Sequence, residues 1–186
     1  MNIFLIYARN DLRLVKSLLN QLSSLENCNL VDHVYSRDVV PGHDRKKALL
    51  DNLASSEIIL LLISANFLSS NECKDELRIS LERSDQGKAH VIPVILKPCN
   101  WQEQLFAKLQ VLPKDGKPVT SWRNQDEAFL NIVQGVREAI EKFKQLKTPL
   151  SSPSSANSQA TSVTMHFHGD VYGAAGNVEG DQIQHS

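Results

Sequence analysis

Three cysteines, a closely spaced histidine pair and a carboxylate-rich helical pattern are the residues of this chain whose types could do chemistry. Cys28, Cys73 and Cys99 are odd in number, far apart and without C-x-x-C spacing, which argues against a zinc site or a disulfide framework and for a reducing compartment. His166 and His168 fall on one face of an alternating segment, but two ligands alone do not make a metal centre, and no metal is expected. Glu72, Asp75 and Glu76 share a helical pattern with Lys74 and Arg78, whose ordinary reading is a solvated surface with i, i+4 pairs. No G-x-G-x-x-G follows the first apolar run and no G-x-x-x-x-G-K-[ST] occurs anywhere, so Rossmann-type dinucleotide binding and P-loop chemistry are excluded.

The elements that must position any site alternate along the chain. Ile3 to Tyr7 reads as a strand, followed by a helix with the apolar stripe Leu12, Val15, Leu18, Leu19, Leu22 and Leu25. Leu30 to Val34 is a weaker strand, and a helix carrying Ala48, Leu49, Leu50 and Leu53 follows the Pro41-Gly42 turn. Ile58 to Ile63 and Val91 to Leu96 are continuous apolar runs, the pattern of strands covered on both faces, with a helix from Asn71 to Arg83 between them. The last helix has the clearest period, at Phe129, Ile132, Val133, Val136, Ile140 and Phe143. This order predicts an α/β fold: a flavodoxin-like, doubly wound parallel sheet of about five strands with helices on both faces. Such sheets bind ligands beyond the carboxyl ends of their strands, here Ala8 to Asp11, Tyr35 to Asp44, Ser64 to Cys73 and Lys97 to Trp101. A phospho-accepting receiver domain would need an aspartate where this chain has Ser64.

The 186 residues allow one ordinary domain and a remainder, and the apolar fraction of 41% supports a single core. A net charge of -1 offers no basic field for nucleic acid or an anionic membrane. The longest apolar run is far shorter than the about 20 residues of a membrane span, and the start carries no secretory signal, so a cytoplasmic location is expected. Composition divides the chain into a domain over residues 1–143, a disordered Ser/Pro-rich linker over 144–162, and a glycine-punctuated strand-and-turn tail over 163–186. The domain holds 18 basic and 18 acidic side chains and is formally neutral.

Four stretches in order carry a family likeness. Ile3-Phe4-Leu5-Ile6-Tyr7-Ala8-Arg9-Asn10-Asp11 is similar to an "FISYS…D" opening, and Ser36-Arg37-Asp38-Val39-Val40-Pro41-Gly42 to a "DR-x-x-x-PG" loop. Leu61 to Leu77 matches an "S-x-x-F…C-x-x-EL" box, and Val94 to Trp101 with Leu112 to Val119 and Ser121-Trp122 resembles a closing segment. Residues 2 to about 143 therefore resemble a Toll/interleukin-1 receptor (TIR) domain of the bacterial type, and the tail resembles segments that end cyanobacterial signalling proteins.

The resemblance implies a hydrolase that cleaves the nicotinamide–ribose bond of NAD, with NAD as substrate and no cofactor. It places the catalytic carboxylate at Glu76; register differences among bacterial members keep Asp75 in reserve. By the same likeness Tyr7, Arg9, Arg37, Ser64 and Cys73 are candidate NAD-binding residues, although Phe67 and Cys73 also fit core packing, and Trp101 and Trp122 fit packing of the closing segment. Val39, Val40, Pro41, Gly42 and His43 form the candidate loop for homotypic assembly. Two departures stand in that region: Ser36 replaces the usual aspartate and Arg45 the frequent tryptophan. The alternatives are a non-catalytic TIR adaptor acting by homotypic contact, and hydrolysis of another N-glycoside such as a nucleoside. The tail would couple the domain to a sensor protein.

Overall fold

A computed structural model describes residues 1–36 and 45–147. Its strands are β1 (Asn2–Tyr7), β2 (His33–Tyr35), β3 (Ile58–Ile63) and β4 (His90–Ile95), joined in the order β2-β1-β3-β4 with every pairing parallel. The helices are α1 (Leu12–Asn27), α2 (Arg45–Ser55), the short α3 (Ala65–Ser69), α4 (Asn71–Asp85) and α5 (Gln125–Lys147).

Successive strand side chains point to opposite faces, and this period divides the core in two. Ile3, Leu5 and Tyr7 of β1 join Ile58, Leu60 and Leu62 of β3 under α1 and α5. Phe4, Ile6 and Ala8 join Ile59, Leu61 and Ile63 under α2, α3 and α4. Every residue of β3 is fully buried, because the central strand of a doubly wound sheet is covered on both faces. The α5 period holds throughout: Phe129, Ile132, Val133, Val136, Ile140 and Phe143 are all buried.

Three boundaries differ from the sequence reading. The second strand begins at His33 rather than Leu30, because α1 ends in a Schellman turn that absorbs the preceding residues. Asn29 takes a φ of 54° and donates to the Glu26 carbonyl at 2.9 Å, while the Leu30 N–H returns to Leu25 at 3.1 Å. Among the described residues the sheet has four strands rather than about five. The fifth position is a single parallel bridge, Val94 to Leu112, after which Pro113 has no N–H to extend a ladder. Finally, α5 continues to Lys147, past the expected linker start at 144. The rest of that linker and the 163–186 tail lie outside the described residues.

Leu112 reaches α5 at Gly135, where an added Cβ would lie 2.5 Å from Leu112 Cδ2 and 2.9 Å from Cδ1. Gly135→Ala would gain about 1 kcal/mol in helix propensity but must displace a buried leucine at a cost of about 1–3 kcal/mol. A net loss of about 1 kcal/mol is expected from urea unfolding. Adding Leu112→Ala should cost less in the Gly135→Ala background than in wild type, the signature of direct contact.

The closing segment packs through its two tryptophans. Trp101 lies against the α2–α4 core and beside Gly116, and Trp122 lies against the α1–α5 core, with Lys117 Nζ 5.1 Å from its ring centre. At the start of β4 the His90 ring sits 5.9 Å from that of Phe143 on α5, and burial holds its pKa below the ordinary 6.5. The folded state thus favours the neutral imidazole, while the unfolded chain takes up a proton as pH falls through 6.5. Stability is expected to be full above that value and to decline as pH drops below it. His90→Gln should flatten this part of the pH–stability curve.

Candidate functional site

The polar groups of the domain converge where β1, β3 and β4 end. Beyond Tyr7 the chain makes a 3-10 turn, Arg9–Asp11, closed by the Asp11 N–H donating to the Ala8 carbonyl at 2.9 Å. This turn folds the Asp11 side chain back into the sheet edge, where the residue is 1% exposed. Beyond β3, Ser64 is extended and caps α3, its Oγ accepting from the Phe67 N–H at 3.1 Å.

The Ser64 hydroxyl donates to Asp11 Oδ2. Asn66 Nδ2 donates to Asp11 Oδ1 at 3.0 Å, and Lys97, just past β4, donates from Nζ to the same oxygen at 2.6 Å. A buried carboxylate without partners would be strongly unfavourable; two neutral donors and one ammonium offset its desolvation. Cys99 lies near this carboxylate. Burial, and secondarily the Asp11 charge, push its thiol above the ordinary cysteine value, so it is a thiol rather than a nucleophilic thiolate at neutral pH.

Beside this network opens a cavity of about 420 Å³. Ala8, Arg9 and Asn10 of the first turn form one wall; Asn66, Ser69, Ser70 and Glu72, from α3 and the start of α4, form the other. Ser70 begins α4 as its N-cap, accepting from the Cys73 N–H at 3.3 Å. Short amides and hydroxyls with one guanidinium and one carboxylate suit a hydroxyl-rich ligand of mixed charge.

The residues expected from sequence fall into distinct places. Glu76 is 6% exposed, on the buried line of α4 with Cys73, Leu77 and Ser80, one turn beyond Glu72. Its neighbour Asp75 is exposed. Arg9 lines the cavity, whereas Tyr7, Ser64 and Cys73 are enclosed and present almost no surface to a ligand. What the structure gives these three is packing for Tyr7 and Cys73, and hydrogen bonds from Ser64 that hold Asp11 and α3. Arg37, Val39, Val40, Pro41, Gly42 and His43 lie outside the described residues. Asp11, Asn66 and Lys97 are members of the site that sequence reading did not single out. Among the described residues no group of three His, Cys, Asp or Glu side chains could hold a metal, and no helix is long and apolar enough to cross a membrane.

Strand order 2-1-3-4 with polar groups gathered at the carboxyl edge defines a flavodoxin-like α/β domain with an edge site. Residues 3–142 match the TIR domain family, and the chain belongs to that family. It is 38% identical over 161 residues to y4lF, a protein of Sinorhizobium fredii, covering 86% of this chain and 49% of that one. It is 29% identical over 141 residues to Toll-like receptor 2 of Capra hircus, covering 72% of this chain and 18% of the receptor. The chain thus spans about half the length of the bacterial relative and a small part of the receptor. The TIR domain of the Toll-related receptor TRR-2 from Hydra magnipapillata has the same fold, with a TM-score of 0.52 at 21% identity over 73% of this chain and 97% of that domain. A match over 86% of the chain extends beyond Lys147, so the likeness to the bacterial relative is not confined to the domain.

Proposed function

We propose that the protein is a signalling or defence effector that cleaves the nicotinamide–ribose bond of NAD on assembly, giving nicotinamide and ADP-ribose or its cyclic form. The observation that carries this reading is the placement of Glu76. Alone among the neighbouring carboxylates of α4 it is buried, on the same helix face as cavity-lining Glu72 and one turn further along. Nicotinamide departs neutral and needs no general acid, while positive charge gathers on the ribose. A carboxylate in a water-poor setting stabilises that charge, contributing a few kcal/mol. The cavity's amides and hydroxyls suit ribose hydroxyls, and NAD is the substrate with no further cofactor.

Formal neutrality of the domain offers little repulsion between copies, which supports cytoplasmic self-assembly as the switch, with residues 163–186 coupling the domain to a sensor protein. Likeness to Toll-like receptor 2 favours the second reading, an adaptor working through Val39, Val40, Pro41, Gly42 and His43.

The test is nicotinamide release from NAD, and base release from nucleosides, across a range of protein concentrations with and without a crowding agent. Release from NAD should rise more steeply than linearly with protein. Its absence in every assembled state would leave the adaptor, and release from nucleosides alone would redirect the chemistry to another N-glycoside.

A further inference from the structure

We infer that Lys97 is a phosphate-binding residue of this site and that Asp11 is its positioning residue; that the phosphate is the diphosphate of NAD rests on the reading above. The Asp11 side chain is fully enclosed, while that of Lys97 is 37% exposed, so the cationic member of the pair is the one that reaches solvent, at the carboxyl edge of the sheet. That edge is where parallel sheets of this class receive ligands. Lys97 and Asn66 donate to the same Asp11 oxygen, at 2.6 and 3.0 Å, so the ammonium is the immediate neighbour of a cavity-lining amide. An ammonium carries three donors, and Asp11 takes one.

Anchoring also changes what binding requires. A free lysine loses rotamer freedom when it grips an anion; this one is already tethered to an oxygen that also accepts from Asn66. Ser64 secures the other carboxylate oxygen, so the anchor cannot follow the lysine out of the site. Arg9 on the cavity wall follows β1 and Lys97, beside cavity-lining Asn66, follows β4, so a ligand with two linked phosphates has a cation from each of two strand ends to meet.

The experiment is calorimetric titration of pyrophosphate and of ADP-ribose into the full chain, wild type against Lys97→Met, Lys97→Arg, Asp11→Asn and the double variant Asp11→Asn/Lys97→Met. The double variant removes both charges and covers the case in which Lys97→Met alone fails to fold. Loss of Lys97, alone or in the double variant, is expected to weaken both ligands about tenfold, the scale of one charge-assisted hydrogen bond. Lys97→Arg should stay within about threefold. Asp11→Asn should also bind more weakly, although removing a negative charge would by simple Coulomb attraction tighten an anion.

Undiminished pyrophosphate binding without Lys97, or no binding by wild type at millimolar ligand, overturns the phosphate site. Tighter binding by Asp11→Asn overturns the positioning role. If pyrophosphate binding depends on Lys97 but NAD is never cleaved, the phosphate site stands and the NAD reading falls.

Discussion

Glu76→Gln is expected to lower nicotinamide release from NAD about 100-fold or more in kcat, with KM changed little. The size follows from the chemistry: a carboxylate facing developing ribosyl charge acts mainly in the transition state, and about 2.7 kcal/mol of lost stabilisation is about 100-fold in rate. Glutamine keeps the shape and hydrogen-bonding reach of the side chain, so the helix packing that places Cys73, Leu77 and Ser80 should survive. A melting curve alongside the assay checks this. The control is built into the same helix. Asp75 is adjacent in sequence but exposed, so Asp75→Asn should stay within about twofold, because a solvated carboxylate contributes little to a site it does not face. If both variants lose activity equally, the charge of α4 as a whole matters rather than one placed group; if Glu76→Gln turns over as wild type does, Glu76 is not the catalytic residue.

Much of this arrangement was legible in the sequence because burial on both faces leaves a strong pattern. Ile58–Ile63 could only be a covered strand, and the α5 stripe from Phe129 to Phe143 repeats with the helical period. Glu76 carries no such mark. Within its own run of charges it reads as a surface residue, and only the family likeness singled it out. The Asp11 network was harder still. Ser64 and Lys97 are separated by 53 and 86 residues from Asp11, whose carboxylate they share, and each of the three follows a strand where polar residues are ordinary. The strand-end rule did pick out the segments that hold them, Ala8 to Asp11, Ser64 to Cys73 and Lys97 to Trp101, but not which residues within those segments meet; that followed only from the side-by-side order of β1, β3 and β4. The second strand and the fifth were misjudged for a related reason, since a Schellman turn and a following proline change what an apolar residue does without changing its hydropathy.

The same network predicts an asymmetry in stability. Lys97→Met should destabilise the domain by about 3 kcal/mol, near the lower end for breaking a buried ion pair, because the enclosed Asp11 carboxylate keeps Ser64 and Asn66 but loses its countercharge. Asp11→Asn should cost only about 1–2 kcal/mol, since the amide retains much of the hydrogen bonding and the Lys97 side chain, 37% exposed, can turn its ammonium to water. For a domain of this size about 3 kcal/mol corresponds to a fall of about 6–12 °C in Tm. The decisive measurement is the double variant. With both charges gone there is no buried anion left uncompensated, so Asp11→Asn/Lys97→Met should be more stable than Lys97→Met alone, a non-additivity of about 1–3 kcal/mol in chemical denaturation. Simple addition of the two single losses would mean that the groups act independently and that the short contact between Nζ and Oδ1 contributes nothing to the fold. Recovery in the double variant would instead mean that the charge pair is dispensable for folding, which leaves its exposed positive end to be explained by what it binds.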